Sequence, residues 1–153
     1  MVKALVVYDS MYGNTEQIAK ALAAGLESSR VEVDLVKVDA VKFDNLDAVD
    51  LLCVGCPVHA WSASKPMKEF LERLKSVKGL SGKKAFAFDT KFSEGRLAGS
   101  ARGKIERELK DLGLIIAKPS ESAIVKGWKG PLAESVEGMF RQIGVELAKC
   151  CGA

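Results

Sequence analysis

Apolar positions along this chain follow two alternating periods. Apolar runs predict strands over 2–8 (VKALVVY), 31–38 (VEVDLVKV), 50–57 (DLLCVGCP), 83–90 (KKAFAFDT) and 114–119 (LIIAKP), with a further extended stretch over 122–127 (SAIVKG). The second run alternates strictly, as a half-buried strand at a sheet edge does. The third is apolar throughout, as a central parallel strand is. Between the strands, apolar residues recur three and four apart, the spacing of one helix face. They are Ile18, Ala19, Leu22, Ala23 and Leu26, then Met67, Phe70, Leu71 and Leu74, then Ile105, Leu109 and Leu112. A last helix is predicted over 132–150 through Leu132, Val136, Met139, Phe140, Ile143 and Leu147. Ser64, with Pro66 in the first turn, marks the start of the second helix, and Gly113 marks the end of the third. Residues 39–49 are too few for a crossover helix and predict one helical turn over 45–48.

Five strands alternating with helices predict an α/β fold, a parallel sheet covered by helices on both faces. Ligands of such sheets bind beyond the carboxyl ends of the strands, where the strand order reverses. That singles out the loops 9–15, 57–64 and 90–100. No repeat, low-complexity tract or linker interrupts the pattern, so residues 1–153 are expected to form a single domain.

Composition changes this picture little. With 48% hydrophobic and 28% charged residues the chain has the balance of a folded globular protein. The net charge of +3, from 23 basic and 20 acidic residues well mixed, gives no reason to expect nucleic acid as a partner. No apolar run approaches the roughly 20 residues that span a bilayer, and the first one reads as a strand and not as a secretory signal. A cytoplasmic protein without membrane insertion is expected. Cys53 and Cys56 form a C-x-x-C, but inside a strand residues three apart point to opposite faces. They read as small buried hydrophobes and not as a redox pair. No metal site and no catalytic set is assigned, Cys150 and Cys151 included.

The chemistry concentrates in residues 8–18, YDSMYGNTEQI. A turn there needs only one glycine, yet Ser10, Gly13, Asn14 and Thr15 cluster where a helix begins. Backbone N–H groups at a helix start, with its dipole, favour an anion. The hydroxyl and amide side chains add neutral donors, and Gly13 lets the backbone approach a ligand closely. The loop has no Lys or Arg, so it would hold a phosphate by hydrogen bonds. Neither G-x-x-x-x-G-K-[ST] nor G-x-G-x-x-G occurs.

The stretch VVYDSMYGNTEQIAKAL resembles the FMN phosphate loop of the flavodoxin family, [ST]-x-x-G-[NQ]-T followed by a helix. Ser10, Gly13, Asn14 and Thr15 match, with Met11 and Tyr12 at the variable positions. LLCVGCPVHAWSASKPMKEFLERL and KKAFAFDT extend the likeness along essentially the whole chain. The resemblance implies a flavodoxin-like three-layer sandwich, with a five-stranded parallel sheet in the order 2-1-3-4-5 and helices on both faces, and non-covalent FMN. By analogy, Ser10 to Thr15 wrap the phosphate. Pro57, Val58, His59, Ala60 and Trp61, together with Thr90, Lys91, Phe92 and Gly99, surround the ring. Trp61 and Phe92 are the candidates for its two faces, and His59 for a titrating neighbour. Trp128 reads as a packing residue.

One departure stands out. Typical family members carry carboxylates around the flavin, whereas 57–66 here holds no acid and one lysine, and 90–99 holds Lys91 and Arg96 against Glu94. A neutral-to-basic rim favours the reduced, anionic ring. The resemblance implies an electron-transfer protein working between redox partner proteins, as a monomer or weak homodimer. The alternative is an FMN-dependent oxidoreductase of the NAD(P)H:quinone or porphyrinogen-oxidising type, whose anionic substrate a basic rim would suit. No nicotinamide site is recognisable, so the carrier is the preferred expectation. A module whose FMN site has lapsed is a third reading, against which the intact loop argues.

Overall fold

A computed structural model describes residues 1–58, 63–92, 100–127 and 129–153. Among them the order is β1 (Lys3–Tyr8), α1 (Asn14–Ser28), β2 (Glu32–Lys37), β3 (Leu51–Pro57), α2 (Lys65–Leu74), β4 (Lys84–Lys91), α3 (Arg102–Asp111), β5 (Ile115–Ile116), β6 (Glu121–Ile124) and α4 (Val136–Cys150). The strands pair in parallel in the order β2-β1-β3-β4-β5, with β6 also on β4. This is the 2-1-3-4-5 order that the family resemblance implied, with β2 at the edge.

Each inner strand sends alternate side chains to opposite faces, and each face closes a separate core. Ala4, Val6, Tyr8, Leu51, Cys53, Phe86 and Phe88 pack with α1 and α4. Leu5, Val7, Leu52, Val54, Cys56, Ala85 and Ala87 pack with α2 and α3. Large rings on β4 thus face one side and alanines the other.

Cys53 and Cys56 fall in different cores, as period-two geometry requires. Burial pushes the Cys53 thiol well above its usual range, and pushes Cys56 up to about 12. Cys150 and Cys151 are half-exposed. Labelling the native protein with a thiol reagent at mildly alkaline pH is therefore expected to modify Cys150 and Cys151 at most, and all four after denaturation. Modification of Cys53 or Cys56 in the native state, seen by peptide mapping, would contradict this packing.

Three expectations need correcting. The predicted strand over 114–119 is only two residues long, and the chain rejoins β4 at Glu121, where Phe88 pairs with Glu121 and Lys91 with Ile124. Pro119 lies in the gap and has no N–H to donate to the ladder. The last helix starts at Val136, not Leu132, because Leu132 forms an antiparallel bridge with Val125 and the Ala133 N–H bonds the Ile124 carbonyl at 2.8 Å. Met139 is 41% exposed and lies off the core face, which runs through Val136, Phe140, Ile143, Leu147 and Ala148. The 39–49 segment has the expected turn at Leu46–Ala48 and a second at Val38–Ala40.

Candidate functional site

The carboxyl ends of β1, β3 and β4 form one rim. The Asp9 N–H bonds the Gly55 carbonyl at 3.0 Å, and the Val58 N–H bonds the Thr90 carbonyl at 2.9 Å. Within the rim, the Thr15 and Thr90 hydroxyls meet at 2.7 Å, both buried. This bond joins the first turn of α1 to the end of β4, 75 residues away in sequence.

The loop before α1 closes on Ser10. Its hydroxyl oxygen accepts the Gly13 N–H at 3.0 Å and, more weakly, the Glu16 N–H at 3.4 Å. Accepting these leaves the hydroxyl hydrogen able to donate outward. Gly13 has φ +88°, a left-handed conformation that a side chain strains, and a Cβ placed there would meet nothing within 4 Å. The first intrahelical acceptor is the Gly13 carbonyl, taken by Gln17 at 3.0 Å. The N–H groups of Asn14 and Thr15 come before it in the helix and have no intrahelical acceptor. Donors at a dipole's positive end, in front of open space, fit an anion such as a phosphate.

Not every predicted donor faces that space. The Thr15 hydroxyl is engaged with Thr90, and the Asn14 amide donates to the Lys129 carbonyl at 3.0 Å. Gly130 lies so close that a Cβ on it would fall 2.7 Å from Asn14 Oδ1. The Lys129 ammonium sits 5.7 Å from the centre of the Tyr12 ring. The loop has no cation of its own, and the fold brings one beside it.

Glu16, also at the start of α1, is held on the Tyr8 hydroxyl at 3.1 Å and on Lys20 at 3.2 Å. The hydrogen bond from Lys20, then that from Tyr8, keeps its carboxyl below the usual range. Burial, then Glu16, raises the Tyr8 phenol.

Pro57 and Val58 are half-buried, as is Lys91, whose carbonyl accepts the Val125 N–H at 2.9 Å. Met11, Tyr12 and Phe92 are exposed apolar residues on the same rim, at 57%, 45% and 55%. His59, Ala60, Trp61, Gly99 and Trp128, with Glu94 and Arg96, lie outside the described residues.

Sequence reasoning missed Asp89. It is fully buried, and its Oδ2 accepts the Ala101 and Arg102 N–H groups at 2.9 Å each and the Ser100 hydroxyl at 3.4 Å. A carboxylate thereby caps α3 at the dipole end that favours negative charge. Arg102 then bonds Ser120 and Ser122, fastening α3 to β6. These bonds fix the chain where it returns from the fourth-strand loop. The one available signal was an aspartate ending an otherwise apolar strand. Among the described residues the buried Asp89 Oδ1 has no hydrogen-bond partner.

Among the described residues no group of three His, Cys, Asp or Glu side chains could hold a metal ion, and no helix is long and apolar enough to cross a membrane. Comparison with known proteins agrees with the geometry. The flavodoxin family model matches residues 6–120. A flavodoxin of Maridesulfovibrio salexigens is 29% identical over 76% of this chain and 82% of its own length. A flavodoxin of Pseudomonas aeruginosa is 36% identical over 47% of this chain, a match that spans 40% of that protein. A solved archaeal flavodoxin superposes with a TM-score of 0.83 at 24% identity, over 99% of this chain and all of that one, which establishes the shared fold. The chain belongs to the flavodoxin family, whose members bind FMN.

Proposed function

We propose that this protein carries electrons between redox partner proteins on FMN held at the carboxyl ends of β1, β3 and β4. What supports the reading is the buried Thr15–Thr90 bond of 2.7 Å, which pins the anion-ready start of α1 to the end of β4, so one rim serves both ends of the cofactor. FMN, when bound, takes up and releases electrons singly or in pairs.

Ser10 and the backbone N–H groups around Gly13 hold the phosphate. Pro57, Val58, His59, Ala60 and Trp61 on one side, and Thr90, Lys91, Phe92 and Gly99 on the other, enclose the ring. Trp61 and Phe92 are the candidates for covering its faces. Residues 1–153 act as a single FMN-binding domain in the cytoplasm, as a monomer or weak homodimer. The lysine at the end of β4, Lys91, and the exposed Lys129 suit an acidic partner surface. In the alternative reading, an FMN-dependent oxidoreductase, the same charges receive an anionic small substrate.

Reconstitution with FMN followed by potentiometric titration separates the two. A carrier shows two resolved one-electron steps, and neither NADH nor NADPH alone bleaches its flavin. Rapid turnover of either nicotinamide with a quinone would overturn the carrier assignment in favour of the enzyme.

A further inference from the structure

We propose that Lys129 is an electrostatic ligand for the FMN phosphate, delivered to the phosphate loop by the turn between β6 and α4. This rests on the FMN site proposed above. The sequence puts no cation in the loop Ser10–Thr15, and a phosphate bound there by neutral donors alone keeps its full charge. The fold changes this by bringing residues 115 positions away into contact with the loop.

Three independent features hold the turn in place. The Asn14 amide donates to the Lys129 carbonyl at 3.0 Å. Gly130, at φ +108°, has a backbone conformation that a side chain strains, and it lies against Asn14, where a Cβ would fall 2.7 Å from Oδ1. Below it, the Lys126 N–H bonds the Pro131 carbonyl at 2.8 Å, and Val125 bridges Leu132. The turn is thus latched to the residue that opens α1, and its exposed lysine carries its ammonium over the Tyr12 ring. Lys129 has its charge next to the loop, whereas the neighbouring Lys126 is paired with Glu134 at 3.8 Å.

An ammonium on a flexible stem is a point charge that follows an anion without needing fixed geometry. At an exposed site its attraction is modest and falls with salt. Asn14, on this view, is a positioning residue, because its amide serves the phosphate through Lys129.

The test is flavin binding to the full chain, read by quenching of flavin fluorescence. Lys129→Gln removes the ammonium but keeps the carbonyl that Asn14 uses. At low salt it is expected to weaken FMN about fivefold, with the loss fading at high salt. Riboflavin affinity should stay the same, and Lys129→Arg should restore FMN binding. Lys126→Gln, which removes a charge already paired, should leave FMN affinity unchanged. Unaltered FMN affinity of Lys129→Gln at low salt would overturn the proposal. So would an equal loss in Lys126→Gln, which would reduce the effect to net charge. Failure of the wild-type chain to bind FMN would instead refute the site reading on which the proposal stands.

Discussion

Alanine in place of Gly144 is expected to destabilise the protein by about 2 kcal/mol or more, although alanine is the better helix former. Helices α1 and α4 cross at Gly25 and Gly144. A Cβ on Gly144 would lie 2.9 Å from the Leu26 nitrogen and 3.0 Å from the Gly25 Cα, and closer still to the Leu22 carbonyl oxygen. These obstacles are backbone, so they yield only if the helices separate and loosen Leu22, Phe140 and Leu147 in the core between them. Overpacking of this kind costs ~3 kcal/mol at the upper end of its usual range, against ~1 kcal/mol that alanine gains over glycine within a helix. Gly138, in the same helix, has open space where its Cβ would go. Gly138→Ala is therefore expected to stabilise by a few tenths to ~1 kcal/mol. Urea unfolding of the two variants checks the opposed signs. A Gly144→Ala protein as stable as Gly138→Ala would show that the helices do not touch at this point.

FMN is expected to bind at least about 100-fold more tightly than riboflavin, a difference of ~2.7 kcal/mol. The two ligands differ only in the phosphate, so the ratio isolates the loop Ser10–Thr15 from the ring pocket. The loop offers the Ser10 hydroxyl, the N–H groups ahead of the first helical hydrogen bond, and the dipole of α1. Hydrogen bonds to a charged acceptor contribute ~1.5–3 kcal/mol each, net of the bonds to water that they replace. Two or three such bonds therefore exceed the stated ratio. Ser10→Ala should reduce FMN affinity by about tenfold and leave riboflavin nearly untouched. Thr15→Val works differently. It strips the buried Thr90 hydroxyl of its partner, so it lowers stability and the affinity for both flavins together. Equal binding of FMN and riboflavin by the wild type would mean that this loop is an ordinary helix start.

Local patterns carry most of the fold. Period-two alternation assigned Cys53 and Cys56 to opposite faces, and the strict alternation of Glu32–Lys37 placed β2 at the edge, because these follow from backbone geometry within one strand. Helix starts at Ser64 and stops at Gly113 were legible for the same reason. The Ser10–Thr15 loop could be singled out from the sequence because its donors, its glycine and its helix are neighbours in the chain.

What the sequence could not determine was anything made by two distant segments. Asn14 and Thr15 look alike as donors for a ligand, yet one is turned to the Lys129 carbonyl and the other to the Thr90 hydroxyl. Asp89 reads as the end of a strand, and only the arrival of α3 beneath it makes it a cap. Pro119 splits the last strand position, but that the chain rejoins β4 at Glu121, with Arg102 bonded to Ser120 and Ser122, is a contact between distant segments. Periodicity records which face a residue presents and is silent on what meets that face. By itself the sequence determined the layers, the strand faces and the position of the donor-rich loop before α1. The tertiary structure alone decided which of these donors are engaged and which cation stands beside them, because contacts between segments 75 and 115 residues apart are set by packing and leave no periodic trace.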